Sequence, residues 1–84
     1  MSHRATSADV DGAIHERHFT VLPDGHTTVC SLRLDNGRWV HGMSHSEVPL
    51  AEHAEAGRTS AFAIARREVW QLLQFRLADR AGAA

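Results

Sequence analysis

The sequence predicts an α+β domain in which an antiparallel three-stranded meander is packed by a long C-terminal amphipathic helix. Three features carry that prediction. Asp35-Asn36-Gly37 is a tight turn between two runs of β-forming residues, Pro23-Asp24-Gly25 is a second turn before them, and an apolar helical period begins near Leu50.

The strands are expected at 18–22, 27–34 and 38–43. His18-Phe19-Thr20-Val21-Leu22 is rich in β-formers and stops at the Pro-Asp-Gly turn, and Thr27 to Leu34 fills the space before the next turn. A two-residue loop at Asn36-Gly37 needs positive φ at both positions, which Asn and Gly reach at least cost. That loop sets Leu34 opposite Trp39, Leu32 opposite His41 and Cys30 opposite Met43, and period-2 alternation puts all six on one face. A similar turn at Asp24-Gly25 adds Val21 and Phe19 to it, opposite Thr28 and Cys30. The second face then carries Thr20, Thr27, Val29, Ser31, Arg33, Arg38 and Val40, and the first is the one expected to be buried.

The helix is expected over about 50–79, with a break or kink at Gly57. At 100° per residue, Ala61, Leu72, Ala65, Val69, Phe62, Leu73, Leu77 and Trp70 share one arc, which Ile64 and Phe75 widen. The arc covers roughly two-thirds of the circumference, where a helix on one sheet needs a stripe of ~100°. The surplus predicts a homo-oligomer with Ile64, Phe75 or Trp70 at its interface; the competing reading is that the N-terminal residues fold over it. Glu68 and Arg76 fall inside the arc, as expected of a salt link across an oligomer interface or of a pocket lining. Residues 1–17 show no sustained period and read as a flexible arm, 18–80 as the domain, and 81–84 as a fraying end.

An 84-residue chain is one small domain with a thin core. Its net charge of −1 produces no overall field toward nucleic acid or membrane. All nine basic residues are Arg, so each cation is a planar fork suited to carboxylates and phosphates. The single Cys30 suits a reducing compartment, and no apolar run approaches the ~20 residues of a membrane span. The N-terminus has no signal-peptide pattern, and the expected location is the cytoplasm in which the protein is made.

The chemistry-bearing residues form no catalytic pattern. Of the seven histidines, His15 with His18 and His41 with His45 have tolerable metal spacings, but neither pair lies on a predicted helix. His41 reads as a sheet histidine under the helix, and no metal or other cofactor is expected. Cys30 sits mid-strand among Leu32, Phe19 and Met43, surroundings that raise a thiol pKa and discourage a nucleophile. There is no phosphate loop, Gly-x-Ser-x-Gly elbow or His-Glu-x-x-His helix, and the expectation is a protein that is not an enzyme.

Thr28-Val29-Cys30, Asp35-Asn36-Gly37, Gly42-x-Ser44 and Pro49, followed by Glu55-x-Gly57-Arg58-x-x-Ala61-x-x-x-Ala65-x-x-x-x-Trp70-x-Leu72-x-x-Phe75-x-Leu77, form a pattern over roughly residues 20–78. It resembles the family of small tailed-phage proteins that includes the phage N4 and phage Sf6 members. The chain departs from the family at His45-Ser46-Glu47-Val48-Pro49, where members often carry Ala-Cys-Val-Asp-Pro. The resemblance implies a phage or prophage accessory protein with no established catalytic residues to transfer. By analogy with other small phage proteins it suggests counter-defence. One form is an inhibitor of a host defence complex, of the anti-CRISPR type, binding through Arg33, Arg38 and Val40 or through the surplus helix surface. Another is an oligomeric sponge for a nucleotide signal, with Arg58, Arg66 and Arg76 on phosphates and Trp39 or Trp70 on a base. A DNA-binding regulator is a third, disfavoured by the charge and by the lack of a helix-turn-helix.

Overall fold

The computed structural model describes residues 5–83, with side chains described through Arg76. A short helix α1 (Ser7–Ala13) leads into β1 (Ile14–Val21), β2 (Thr27–Leu34), β3 (Trp39–His45) and a long α2 (Leu50–Ala83). The strands form one antiparallel sheet in the order β1-β2-β3, and both helices pack on the same side of it. This is the expected meander and C-terminal helix. β1 starts earlier than residue 18, and β3 occupies 39–45 in place of 38–43.

The first turn is held by one carboxylate. Asp24 Oδ1 accepts from the backbone N–H of His26 (2.8 Å) and of Thr27 (3.0 Å), and its Oδ2 accepts from Thr27 Oγ1 (2.7 Å). Gly25, at φ +73°, reverses the chain. Leu22 N–H donates to Thr27 C=O at 2.9 Å, and Val21 opposite Thr28 and Phe19 opposite Cys30 follow, as the sequence predicted.

The second turn differs by one residue, with large consequences. Asn36 does not take positive φ; only Gly37 does, at +86°. The loop is therefore three residues, Asp35 to Gly37, closed by Gly37 N–H to Leu34 C=O (2.9 Å) and by Leu34 N–H to Arg38 C=O (2.8 Å). A type I turn followed by a left-handed glycine is the usual three-residue hairpin. The Asn36 side chain finds its own use, accepting from Arg38 N–H at 3.0 Å. Leu32 consequently faces Val40, and Cys30 faces Gly42, in place of His41 and Met43. A one-residue slip exchanges faces along a whole strand. Trp39, His41 and Met43 thus lie on the side away from the helices, and Val40 packs against the core. The placements of Trp39, His41, Met43 and Val40 read from the sequence are all reversed.

Gly42 is what allows α2 to descend onto β3. A side chain there would overlap the Ala65 backbone nitrogen and lie 2.6 Å from Ala61 C=O, so only a glycine fits under this turn of the helix. Ala61, Ala65 and Val69 are fully buried along the contact line with Cys30, Leu32 and Leu34, and Phe62, Leu72 and Leu73 flank them. Gly57 makes a second close approach, over Thr28 and Leu50, and does not interrupt the helix. The irregular residue is His53 (φ −134°, ψ 35°), one turn earlier, which corrects the break expected at Gly57. The Leu77 side chain lies outside those described; α2 continues to Ala83, beyond the end expected at about 79 and through most of the tail expected to fray, and Ala84 lies outside the described residues.

Residues 5–17 are part of the fold and not a flexible arm. Thr6 caps α1 reciprocally: its Oγ1 accepts from Asp9 N–H (3.1 Å), while Asp9 Oδ2 accepts from Thr6 N–H (2.9 Å). Val10 is fully buried and Ala13 nearly so. Arg66 of α2 clasps the helix, donating to Asp11 Oδ1 (3.0 Å) and Ser7 Oγ (2.6 Å), and Ala5 N–H donates to Gln74. The competing reading, that N-terminal residues cover part of the α2 arc, is the one realised on this flank. Ile64, Trp70 and Phe75 remain exposed. No helix among the described residues is long and apolar enough to cross a membrane.

Candidate functional site

Because both helices occupy one side of the sheet, nothing among the described residues covers the other. Strand alternation brings three rows together on it: Glu16, His18 and Thr20 from β1, Val29, Ser31 and Arg33 from β2, and Trp39, His41 and Met43 from β3. Trp39 is 44% and Met43 59% exposed, high values for large apolar side chains in a regular strand. The Trp39 indole lies between two imidazoles, with ring centroids 5.8 Å from His18 and 6.5 Å from His41, the latter nearly parallel at 5°.

The polar groups of this face are engaged with one another. Glu16 accepts from Arg33 Nη2 at 2.7 Å and lies 3.1 Å from His18 Nε2. The hydrogen bond from Arg33, and then the one from His18, hold the Glu16 carboxyl below its usual range. His41 Nδ1 pairs with Ser31 Oγ at 2.9 Å. At the far end, Thr27 Oγ1 gives its proton to Asp24 and accepts from His45 Nδ1 at 3.2 Å, while His26 Nδ1 donates to Ser46 C=O at 2.8 Å. Thr27 is spent as a donor to a carboxylate, an arrangement that steadies a turn and does not activate a nucleophile. Burial raises the Cys30 thiol pKa.

The residues singled out in the sequence do not form one site. Arg33 lies on the open face, but Arg38 is exposed just before β3, in phase with Val40, and Val40 is on the opposite side. Arg58 pairs with Glu55, Arg66 holds α1, and Arg76 lines a separate cleft of about 440 Å³ with Asp9 and Asp35. The three arginines expected on the phosphates of a nucleotide therefore stand apart within the chain. Trp70 is 41% exposed on α2, away from Trp39. Ile64, Glu68 and Phe75 are exposed along one strip of α2; Glu68 points outward and makes no internal pair with Arg76.

A smaller cleft of about 320 Å³ opens between β1 and α2, lined by Arg17, Phe19, Glu55, Arg58, Thr59 and Phe62. The Arg17 guanidinium sits 5.0 Å from the centroid of the Phe62 ring. Sequence reasoning missed Arg17, because residues before 18 were not read as strand, and missed Trp39 and His41 as surface residues because of the register.

Comparison with curated proteins and with solved structures returned no match. A family model, the phage protein (N4 Gp49/phage Sf6 gene 66) family, matches residues 5–81, from just before α1 to near the end of α2. The chain belongs to that family.

Proposed function

We propose that this phage-family protein is a counter-defence factor that acts by binding, docking its uncovered sheet face on a component of a host defence complex in the bacterial cytoplasm. The observation that carries the reading is Trp39, exposed between His18 and His41, with Arg33 opposite it on β2 and Met43 further along β3. Tryptophan and arginine dominate binding hot spots, and methionine adapts to a partner's surface. The sheet holds these groups on a rigid frame, with the Glu16–Arg33 pair as its polar rim. The counter-defence assignment is supported by membership of a phage family and by the size of the chain, and catalysis has no part in it.

The test is phage plating on hosts that carry individual defence systems, with and without the protein expressed. The proposal expects plating to recover on at least one host, and Arg33→Glu with Arg38→Glu to weaken the complex at least tenfold. No recovery on any host overturns the counter-defence reading. Unchanged binding by the folded double variant removes the sheet face from it.

A second reading, sequestration of a nucleotide signal, is favoured by the cleft of Arg17, Phe19, Arg58 and Phe62, which joins two guanidinium groups to two aromatic rings, although Glu55 on its wall already pairs with Arg58. A thermal-shift panel of cyclic and ADP-ribose-like nucleotides tests it. A gain of several degrees with one of them, lost in Arg17→Ala, supports it, and no shift excludes it.

A further inference from the structure

We propose that the cleft between α1, the β2–β3 turn and α2 binds a free basic amino acid, lysine or arginine. The inference is independent of the proposed docking, since this cleft lies between the helices and Trp39 lies on the other side of the sheet. Its charged groups come from three elements: Asp9 from α1, Asp35 from the turn and Arg76 from α2. Both signs face one space of about 440 Å³, within the ~300–1,000 Å³ of small-molecule sites. Arg76 nevertheless forms no ion pair with either carboxylate. The Asp35 carboxylate has no hydrogen-bond donor among the described residues, and Asp9 engages only Oδ2, with Thr6 N–H at 2.9 Å. Opposite charges held apart across a cleft are what a ligand carrying both charges would bridge.

The frame around these groups is fastened at both ends of α1. Ala5 N–H donates to Gln74 of α2, and Asp35 N–H donates to Ala13 C=O at 2.9 Å. Ala8, Ala13 and Leu73 supply an apolar wall, and Gly12 leaves room beside it, because a side chain begun at Gly12 would meet no atom within 4 Å. The chemistry of the lining selects the ligand. A guanidinium fork pairs a carboxylate through two parallel hydrogen bonds, so Arg76 receives the α-carboxylate. Asp9 and Asp35 receive the α-ammonium and the side-chain cation, and the methylene stem between them lies on the apolar wall. Two carboxylates against one guanidinium leave the cleft one negative charge in excess. Lysine or arginine, each a zwitterion with one further cation, neutralises it. The same two carboxylates repel a phosphate-rich ligand, which sets this cleft apart from a nucleotide site.

Isothermal titration of the full-length protein with L-lysine and with L-arginine tests this. At least one should bind saturably, one molecule per chain. Its decarboxylated amine (cadaverine or agmatine) loses the group that Arg76 holds, and its Nα-acetyl form loses the ammonium. Each should bind at least about tenfold more weakly, as should the parent amino acid to Arg76→Gln or Asp35→Asn. Gly12→Leu should fill the cleft and abolish binding while the circular dichroism stays that of the wild type, because its side chain starts in open space and leucine favours a helix more than glycine does. Absence of saturable binding by both amino acids overturns the proposal. Equal binding of the decarboxylated amine, or binding retained by the folded Gly12→Leu variant, overturns it as well.

Discussion

Gly42 and Ala65 meet backbone to backbone, and no side chain fits between β3 and α2 at that point. The contact sets the height of the helix over the sheet and lets Ala61, Ala65 and Val69 close on Cys30 and Leu32. Gly42→Ala should therefore lift the helix and cost at least about 3 kcal/mol, the upper range for overpacking, because the obstacle is main chain and not a movable side chain. Urea denaturation measures this; a loss below about 1 kcal/mol would mean that the helix sits higher.

Thr28 Oγ1 is buried beneath Gly57 with no hydrogen-bond partner among the described residues. Replacing the hydroxyl with a methyl of similar shape removes a desolvated polar group. Thr28→Val should stabilise the fold by about 1 kcal/mol, seen as a rise in Tm. A fall of that size would show that the hydroxyl is bonded in solution.

Asp24 accepts three hydrogen bonds, from Thr27 Oγ1 and the backbone N–H groups of His26 and Thr27, and they hold its pKa below the ordinary carboxylate value. A carboxylate depressed in the folded state contributes stability above its unfolded value, about 3.9, and that contribution fades as pH falls through the folded value. Asp24→Ala should lower stability at pH 7 and flatten the acid limb of the stability–pH curve below about pH 4. Parallel acid limbs in mutant and wild type would contradict this.

Val10 is fully buried on α1, where a flexible arm would leave it free. Val10→Ala should cost about 1–2 kcal/mol in chemical denaturation. A neutral substitution would detach α1 from the cooperative unit.

The parts of this fold legible in the sequence were those specified by local chemistry. The Asp24-Gly25 turn, the β1–β2 register and the apolar line of Ala61, Ala65 and Val69 all follow from turn residues and period. The β2–β3 register was not legible in the same way. Asp35-Asn36-Gly37 suits both a two-residue loop and a three-residue loop, and the choice exchanges the faces of Trp39 and Val40. The packing need of α2 decides it, since the three-residue loop puts Gly42 under the helix and Met43 outside. The capping pair Thr6 and Asp9 was a readable signal for α1, hidden by the low apolar content of that helix. The candidate site inherited the register error, because its central residue is Trp39.

The two tryptophans, Trp39 on the sheet and Trp70 on the helix, are almost equally exposed, at 44% and 41%, and they provide a matched test of where this protein binds. The most direct measurement is phage plating on a defended host that the wild-type protein rescues, comparing Trp39→Asp with Trp70→Asp at equal expression. Docking through the open sheet face predicts that Trp39→Asp abolishes rescue and Trp70→Asp preserves it. Rescue that survives Trp39→Asp and is lost in Trp70→Asp would contradict the account and move the binding surface to α2.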